Sequence, residues 1–209
     1  NGEFYDFQRI RADLTAQGVR FSSKSDSEIL LRLYQRQGLD ATLPLLRGEF
    51  AFALFDRSED CLYLVRDRFG IKPQYWAMTP EGLVFGSELK VLFAHPAVER
   101  RFTSEGLFHQ LMQTMVPGTT AFAGVHQVKP GHVLKVQRVN GHLEVSESTY
   151  WDVDFPRKDQ RDSSRTEAEH IAAVRAALLE AVELRMVADV PVGCYLSGGI
   201  DSCSILGLA

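Results

Sequence analysis

The chain has 209 residues, 45% hydrophobic and 24% charged, with a formal net charge of −4. That is enough for one or two domains with a real core, and the mildly acidic balance excludes the basic footprint of a nucleic-acid or anionic-membrane binder. No apolar run approaches the roughly eighteen residues of a membrane span. Cys61, Cys194 and Cys203 show neither metal-ligand nor disulfide spacing, and their odd number suits a reducing, cytoplasmic setting. The histidines are scattered, without HxxxH or HxH spacing, so metal binding is not expected of them. Neither Asn1 nor Ala209 reads as a natural terminus. The sequence is therefore expected to be a piece of a longer protein, with any activity belonging to the intact chain.

From the N-terminus, Phe7, Ile10 and Leu14 recur at three- and four-residue spacing until Gly18. This predicts an amphipathic helix over about residues 4–17, with Asn1, Gly2 and Glu3 preceding it. A short strand is expected through Val19 and Phe21. A second helix follows, opened by a Ser25/Glu28 capping box and carrying Ile29, Leu30, Leu33 and Tyr34. Glu49 to Asp56 reads EFAFALFD, apolar on both faces, and predicts a strand buried on both sides. After a turn at Ser58 to Asp60, Cys61 to Val65 forms its hairpin partner. A second hairpin is expected from Gln74 to Met78 and Leu83 to Phe85, joined through Thr79 to Gly82.

Between these hairpins lies RDRFGIKP, residues 66–73. Arg66, Asp67, Arg68 and Lys72 offer charge for an anion, but a charge-paired loop fixed by Gly70 and Pro73 is the expected reading. Short helices are predicted from Ser87 to Phe93 and from Thr103 to Gln113, then a Gly- and Pro-punctuated connection. Val133 to Val139 and His142 to Val145 flank Asn140 and Gly141, a strong hairpin signal. Pro156 to Arg165 reads as a linker. Thr166 and Glu169 form a capping box for a helix with Ile171, Val174, Leu178 and Val182 on one face. Doubly buried antiparallel strands flanked by helices imply two packed sheets between helical layers.

Residues 190–202, VPVGCYLSGGIDS, read as a buried strand, a glycine loop and a helix start. Gly198 and Gly199 let the main chain approach phosphate oxygens, Ser197 and Ser202 add hydroxyls, and the helix start aims its positive end at the same place. Asp201 beside a polyphosphate makes sense if a divalent cation lies between them. The plain alternative is a Gly-Gly turn with Ser and Asp at a helix start. No GxxxxGK[ST] occurs, so this is not a Walker-type loop.

The loop has the SGGxDS pattern of ATP pyrophosphatases, and VADVPVGCYLSGGIDS resembles the synthetase domain of glutamine-hydrolysing asparagine synthetases. The resemblance implies that Leu196 lies against the adenosine of ATP. Ser197, Gly198, Gly199, Asp201 and Ser202 would hold its pyrophosphate end, with Mg2+ on Asp201. Cys203 stands where that family commonly has a second serine.

Near the N-terminus two local readings compete: Asn1 and Gly2 make a turn and Asp26 favours a helix dipole, or Asn1 and Gly2 are oxyanion donors and Glu3 and Asp26 paired carboxylates for an ammonium group. NGEFYD followed by SDSE resembles the NGEIYN and SDTE signatures of class II glutamine amidotransferase domains. This implies that Asn1 and Gly2 form the oxyanion hole and that Glu3 and Asp26 hold the glutamine amino group. The nucleophilic cysteine and a carboxylate-gripping arginine are then expected upstream. Asp6 replaces the usual asparagine. RDRFGIKP resembles the same family's hallmark loop.

The fold so implied is an α+β four-layer αββα N-terminal-nucleophile amidotransferase sandwich over residues 1–152. A linker over 153–165 leads to the start of an α/β ATP-pyrophosphatase domain over 166–209. The implied activity is ATP-dependent asparagine synthesis from aspartate with ammonia from glutamine, through an aspartyl-adenylate, releasing AMP and pyrophosphate. Glutamine, aspartate and ATP are the partners, without nucleic acid or membrane, and a homodimer is left open. The rivals are a ligase for another carboxylate, including β-lactam-type ring closure, and a non-catalytic paralogue.

Overall fold

A computed structural model of the chain describes residues 1–114, 116–160 and 164–209; residues 161–163 of the expected linker lie outside that set. Two compact units are present, Asn1–Val153 and Asp154–Ala209.

In the first unit the elements run β1 (Gly2–Tyr5), α1 (Phe7–Ala16), α2 (Ser27–Thr42), β2 (Arg47–Asp56), β3 (Cys61–Arg66), β4 (Tyr75–Thr79), β5 (Gly82–Gly86), α3 (Leu89–Leu92), α4 (Ser104–Met112), β6 (Val125–Gln127), β7 (His132–Val139) and β8 (His142–Thr149). The strands form a five-stranded sheet of order β1-β2-β3-β7-β8 and a three-stranded sheet of order β5-β4-β6. All pairings are antiparallel.

Three apolar clusters give the layer order. Ile10, Leu14, Ile29, Leu30 and Leu33 from α1 and α2 pack on Phe4, Phe50, Val65 and Val133 of the larger sheet. Leu64, Leu134 and Val136 on its other face meet Trp76 and Leu83 of the smaller sheet. Ala77 and Val125 of the smaller sheet then pack on Leu92 and Leu89 of α3. The sequence of layers is helix, sheet, sheet, helix. It is the αββα sandwich, and it follows from period-two patterning with apolar residues on both faces.

β3 shows this most clearly, because adjacent residues Leu64 and Val65 are both fully buried, one in each core. β2 departs from the expected two-sided burial. Phe50, Ala51 and Leu54 are buried, but Ala53 is exposed and Phe55 is 56% exposed. From the larger sheet, the cluster between the sheets draws on β3, β7 and β8 and includes no residue of β2.

The hairpins follow their turn chemistry. Asp56 Oδ1 accepts from the backbone N–H groups of Ser58 and Glu59 at 2.8 and 3.3 Å, closing the β2–β3 turn. Asn140 and Gly141 take φ of 51° and 83° between the paired residues Val139 and His142.

Four local expectations are corrected. The helix begins at Phe7, not near residue 4, because residues 2–5 pair with β2 as a strand. Val19 and Phe21 form no strand, since Val19 N–H turns back to Leu14 O at 3.0 Å. The Ser25/Glu28 capping box does not form, because Glu28 reaches the N–H groups of Ser22 and Ser23 instead. A strand, β6, occupies the Gly- and Pro-rich connection.

In the second unit, α5 (Glu167–Arg185) starts with the expected Thr166/Glu169 capping box, and α6 (Ile200–Leu208) follows the glycine loop. Residues 191–197 form no helix or paired strand. No strand lies beside them among the described residues, and a strand needs a neighbour to satisfy its backbone.

Candidate active site

The placement of residues 1–5 as the outer strand of the larger sheet decides which backbone groups face outward. Asn1 N donates to Ala51 O at 3.0 Å and Ala51 N donates to Asn1 O at 2.9 Å. No peptide bond among the described residues is cis. With the Asn1 carbonyl aimed at β2, the Gly2 N–H of the same peptide plane is therefore aimed off the free edge of the sheet. Two residues on, the outward N–H of Phe4 donates to Asp26 Oδ2 at 2.9 Å. A two-residue step along a strand is about 7 Å. One edge thus presents an outward backbone donor and, about an amino acid's length away, a carboxylate.

Gly2 is required there. Its φ is +119°, and a Cβ would fall 1.8 Å from Glu49 O. Gly48, across the ladder, has φ +149° and would place a Cβ 2.1 Å from Glu3 O. The two strands approach each other too closely for any side chain at either position.

By the strand alternation, Asn1 and Glu3 share a face of β1, and Glu3 lies opposite Glu49. Like charges in register repel. Here the Glu49 carboxylate accepts from the Tyr5 hydroxyl at 3.0 Å and pairs with Lys72 at 3.7 Å, while Glu3 is exposed to solvent. Asn1, Gly2, Glu3 and Asp26 therefore gather at one end of the larger sheet, although 22 residues separate Phe4 from Asp26.

The segment carrying Asp26 is held from both sides. Arg11 donates to Ser23 O at 2.7 Å and to Ser25 O at 2.6 Å, with its guanidinium 4.3 Å from the Phe21 ring centroid. The Glu28 carboxylate accepts from Ser22 N at 2.8 Å, Ser23 N at 2.7 Å and Arg32 at 2.8 Å. The Ser22 N–H, joined by the Ser23 groups and Arg32, pulls the Glu28 pKa from 4.5 down to about 2. The sequence marked Glu28 as a helix cap and gave Arg11 no part. Their joint role depends on chain reversal at residues 18–25, which no periodicity records.

The RDRFGIKP loop is structural, but it is fixed by backbone groups more than by charge pairing. Asp67 is 1% exposed and accepts from four N–H groups, those of Phe50, Phe69, Ile71 and Lys72, at 3.3, 3.1, 3.0 and 3.0 Å. Arg66 is buried and donates to the carbonyls of Lys72, Val128 and Gly70 at 2.9, 2.9 and 2.6 Å.

In the second unit, Leu196 is 56% exposed, and Ser197 to Ser202 make a compact turn. Ser197 Oγ and Ser202 Oγ are 3.0 Å apart, and Ser202 Oγ donates to Gly199 O at 3.1 Å. Gly198 has φ +81°, Gly199 ends its turn, and Asp201 lies in the first turn of α6. No group of three or more His, Cys, Asp or Glu suited to a metal occurs among the described residues. A lone carboxylate fits a Mg2+ ion that takes most of its ligands from phosphate and water.

Residues 1–151 match the protein-family model described as a glutamine amidotransferase domain. The chain belongs to that family. Beyond this amidotransferase domain, residues 173–209 match the asparagine synthase model. The whole chain is 42% identical to amidase chry2 of Gibberella zeae over 208 residues, 30% of that protein. It is 34% identical to the glutamine-hydrolysing asparagine synthetase 3 of Bacillus subtilis over 212 residues, 33% of that protein. The chain thus spans about a third of the length of these curated relatives. Among solved structures it resembles the glutamine phosphoribosylpyrophosphate amidotransferase of B. subtilis, with a TM-score of 0.52 at 16% identity, covering 99% of this chain and 42% of that one. At that identity the likeness concerns the fold, and the fold is that of the amidotransferase sandwich.

Proposed function

We propose that the protein containing this amidotransferase domain releases ammonia from glutamine and uses it, with ATP, to convert aspartate to asparagine. The observation that carries the reading is the free edge of β1, where the Gly2 N–H points outward and Asp26 is tied two residues away. Glutamine laid along that edge would direct its developing oxyanion to Gly2 N–H and the Asn1 amide, and its ammonium group to Glu3 and Asp26. Water then completes hydrolysis to glutamate and ammonia.

A nucleophile is needed beside this edge. Cys61 is buried in β3, and Cys194 and Cys203 flank the glycine loop that the proposal assigns to ATP. The proposal therefore takes its cysteine from outside these 209 residues. In the second half, Ser197, Gly198, Gly199 and Ser202 would hold the pyrophosphate end of ATP, Leu196 the adenosine, and Asp201 a Mg2+ ion. That ion supplies charge neutralisation at the phosphates. Aspartate attacks the α-phosphorus and pyrophosphate leaves; ammonia then displaces AMP from the aspartyl-adenylate. No described helix is long and apolar enough to cross a membrane, and three free thiols support a cytoplasmic setting.

The 42% likeness to a protein named as an amidase favours a second reading, the same glutamine half serving another carboxylate. Incubating the intact protein with amide-15N glutamine, ATP, Mg2+ and aspartate separates the two. Glutamate, AMP and 15N-asparagine in equal amounts are expected. Glutamate release with AMP formed only on another carboxylate selects the second reading, and no glutamate release at all defeats both.

A further inference from the structure

We propose that Asp67 is a positioning residue for glutamine hydrolysis, acting through the backbone of Phe50 on the edge that carries Asn1 and Gly2; this rests on the function proposed above. Phe50 is the ladder partner of Gly2. In an antiparallel ladder a residue whose neighbour bonds to one side turns its own N–H and C=O to the other. Ala51 is bonded to Asn1, and Phe50 accordingly faces away from β1 and toward Asp67.

Both of its backbone groups end on that residue. Phe50 N donates to Asp67 Oδ2 at 3.3 Å, and Asp67 N donates to Phe50 O at 2.8 Å. The remaining bonds of Asp67 anchor this contact to the hallmark loop and to the residue that leads into β7. Its carboxylate holds Phe69, Ile71 and Lys72, and its carbonyl accepts from Gly131 N at 2.9 Å. The same loop sends Lys72 to Glu49, the ladder partner of Glu3.

The consequence lies in how closely β1 and β2 approach. With room for no Cβ at Gly2 or Gly48, a small displacement of Phe50 must be passed to Gly2 rather than absorbed by side chains. In Asp67→Asn the amide NH2 replaces one acceptor oxygen and meets N–H donors where it should accept. Phe50 and Lys72 share Oδ2, and Phe69 and Ile71 share Oδ1, so either amide orientation leaves two donors facing a donor.

The test compares wild-type, Asp67→Asn and Asp67→Glu forms of the intact protein. Glutamate release should fall by between about tenfold and a hundredfold in kcat, with KM for glutamine within about twofold of wild type. Synthesis from added ammonia should be unchanged. Independently of activity, hydrogen exchange at the Glu3 and Glu49 amides should accelerate while the β7–β8 ladder keeps its protection. Unchanged exchange in β1, equal loss of ammonia-dependent synthesis, or failure of both variants to accumulate as folded protein would each overturn the local positioning role. A wild-type protein that releases no glutamate would instead defeat the proposed function and leave the exchange readout to decide the coupling.

Discussion

Gly2→Ala gives the sharpest test of the edge geometry. The added methyl would sit 1.8 Å from Glu49 O and 2.8 Å from Phe50 Cα, and both are main-chain atoms with no rotamer to change. The strand must back away by roughly 1.5 Å to restore van der Waals contact. Doing so breaks the Asn1–Ala51 exchange of bonds, about 1 kcal/mol for each of the pair. Holding alanine at φ +119° adds roughly 1–2 kcal/mol of backbone strain. A loss of about 3–4 kcal/mol follows, which in a domain of this size lowers Tm by about 10 °C. Displacing one oxyanion donor should cost a further factor of roughly 100–1,000 in glutamate release. Calorimetry and a glutamate assay on the same preparation read both effects, with ammonia-dependent synthesis as the internal control. Gly18→Ala, at φ +86° with open space around it, should cost only about 1 kcal/mol and leave glutamate release intact. A Gly2→Ala protein with wild-type Tm and glutamate release would refute the close approach of β1 to β2 and the donor role built on it.

Asp26→Asn keeps an acceptor for Phe4 N–H but removes the charge that the proposal sets against the glutamine ammonium. KM for glutamine should rise by about 30-fold, equivalent to roughly 2 kcal/mol, with little change in Tm; an unchanged KM counts against Asp26 as an ammonium ligand. Asn1→Ala should impair glutamine use yet spare synthesis from added ammonia, and equal loss of both would remove Asn1 from the oxyanion hole. Glu28 has its pKa depressed from 4.5 to about 2, so its hold on residues 22–23 is present above pH 4.5 and lost as pH falls toward 2. Limited proteolysis should find the 19–26 segment opening across that window, and Glu28→Gln should open it at neutral pH. In Asp201→Asn, ATP-dependent pyrophosphate release should vanish while glutamate release continues; pyrophosphate at the wild-type rate would dismiss the Mg2+ role.

The layered architecture was legible because the interiors of EFAFALFD and CLYLVR carry apolar residues on both faces, a pattern that β3 bears out with Leu64 and Val65 in opposite cores and β2 follows only in part. The Asn140-Gly141 turn and the Thr166/Glu169 box were legible for a similar reason, since each is a local bonding problem with few chemical solutions. β1 was hidden by its shortness and by the helix periodicity that begins immediately after it at Phe7. Its strand character comes from β2, more than 40 residues away, and leaves no trace in Gly2–Tyr5 beyond weak alternation. The charge pairing expected of RDRFGIKP reflects only that Arg66, Asp67 and Arg68 are adjacent in sequence. In three dimensions each finds backbone groups closer and better directed. Residues 190–196 have the composition of a buried strand but no ladder among the described residues, which separates propensity from pairing.

An open sheet edge is normally a hazard, since its outward N–H and C=O groups invite a strand from another molecule. On β1 that invitation is declined by the same groups that would bind an amino acid. Asp26 occupies the Phe4 N–H that an incoming strand would need for its register, and its charge repels an incoming carbonyl. Chains carrying Asp26→Ala should therefore be more prone to intermolecular strand addition, so that this carboxylate bears on solubility whatever it does for chemistry.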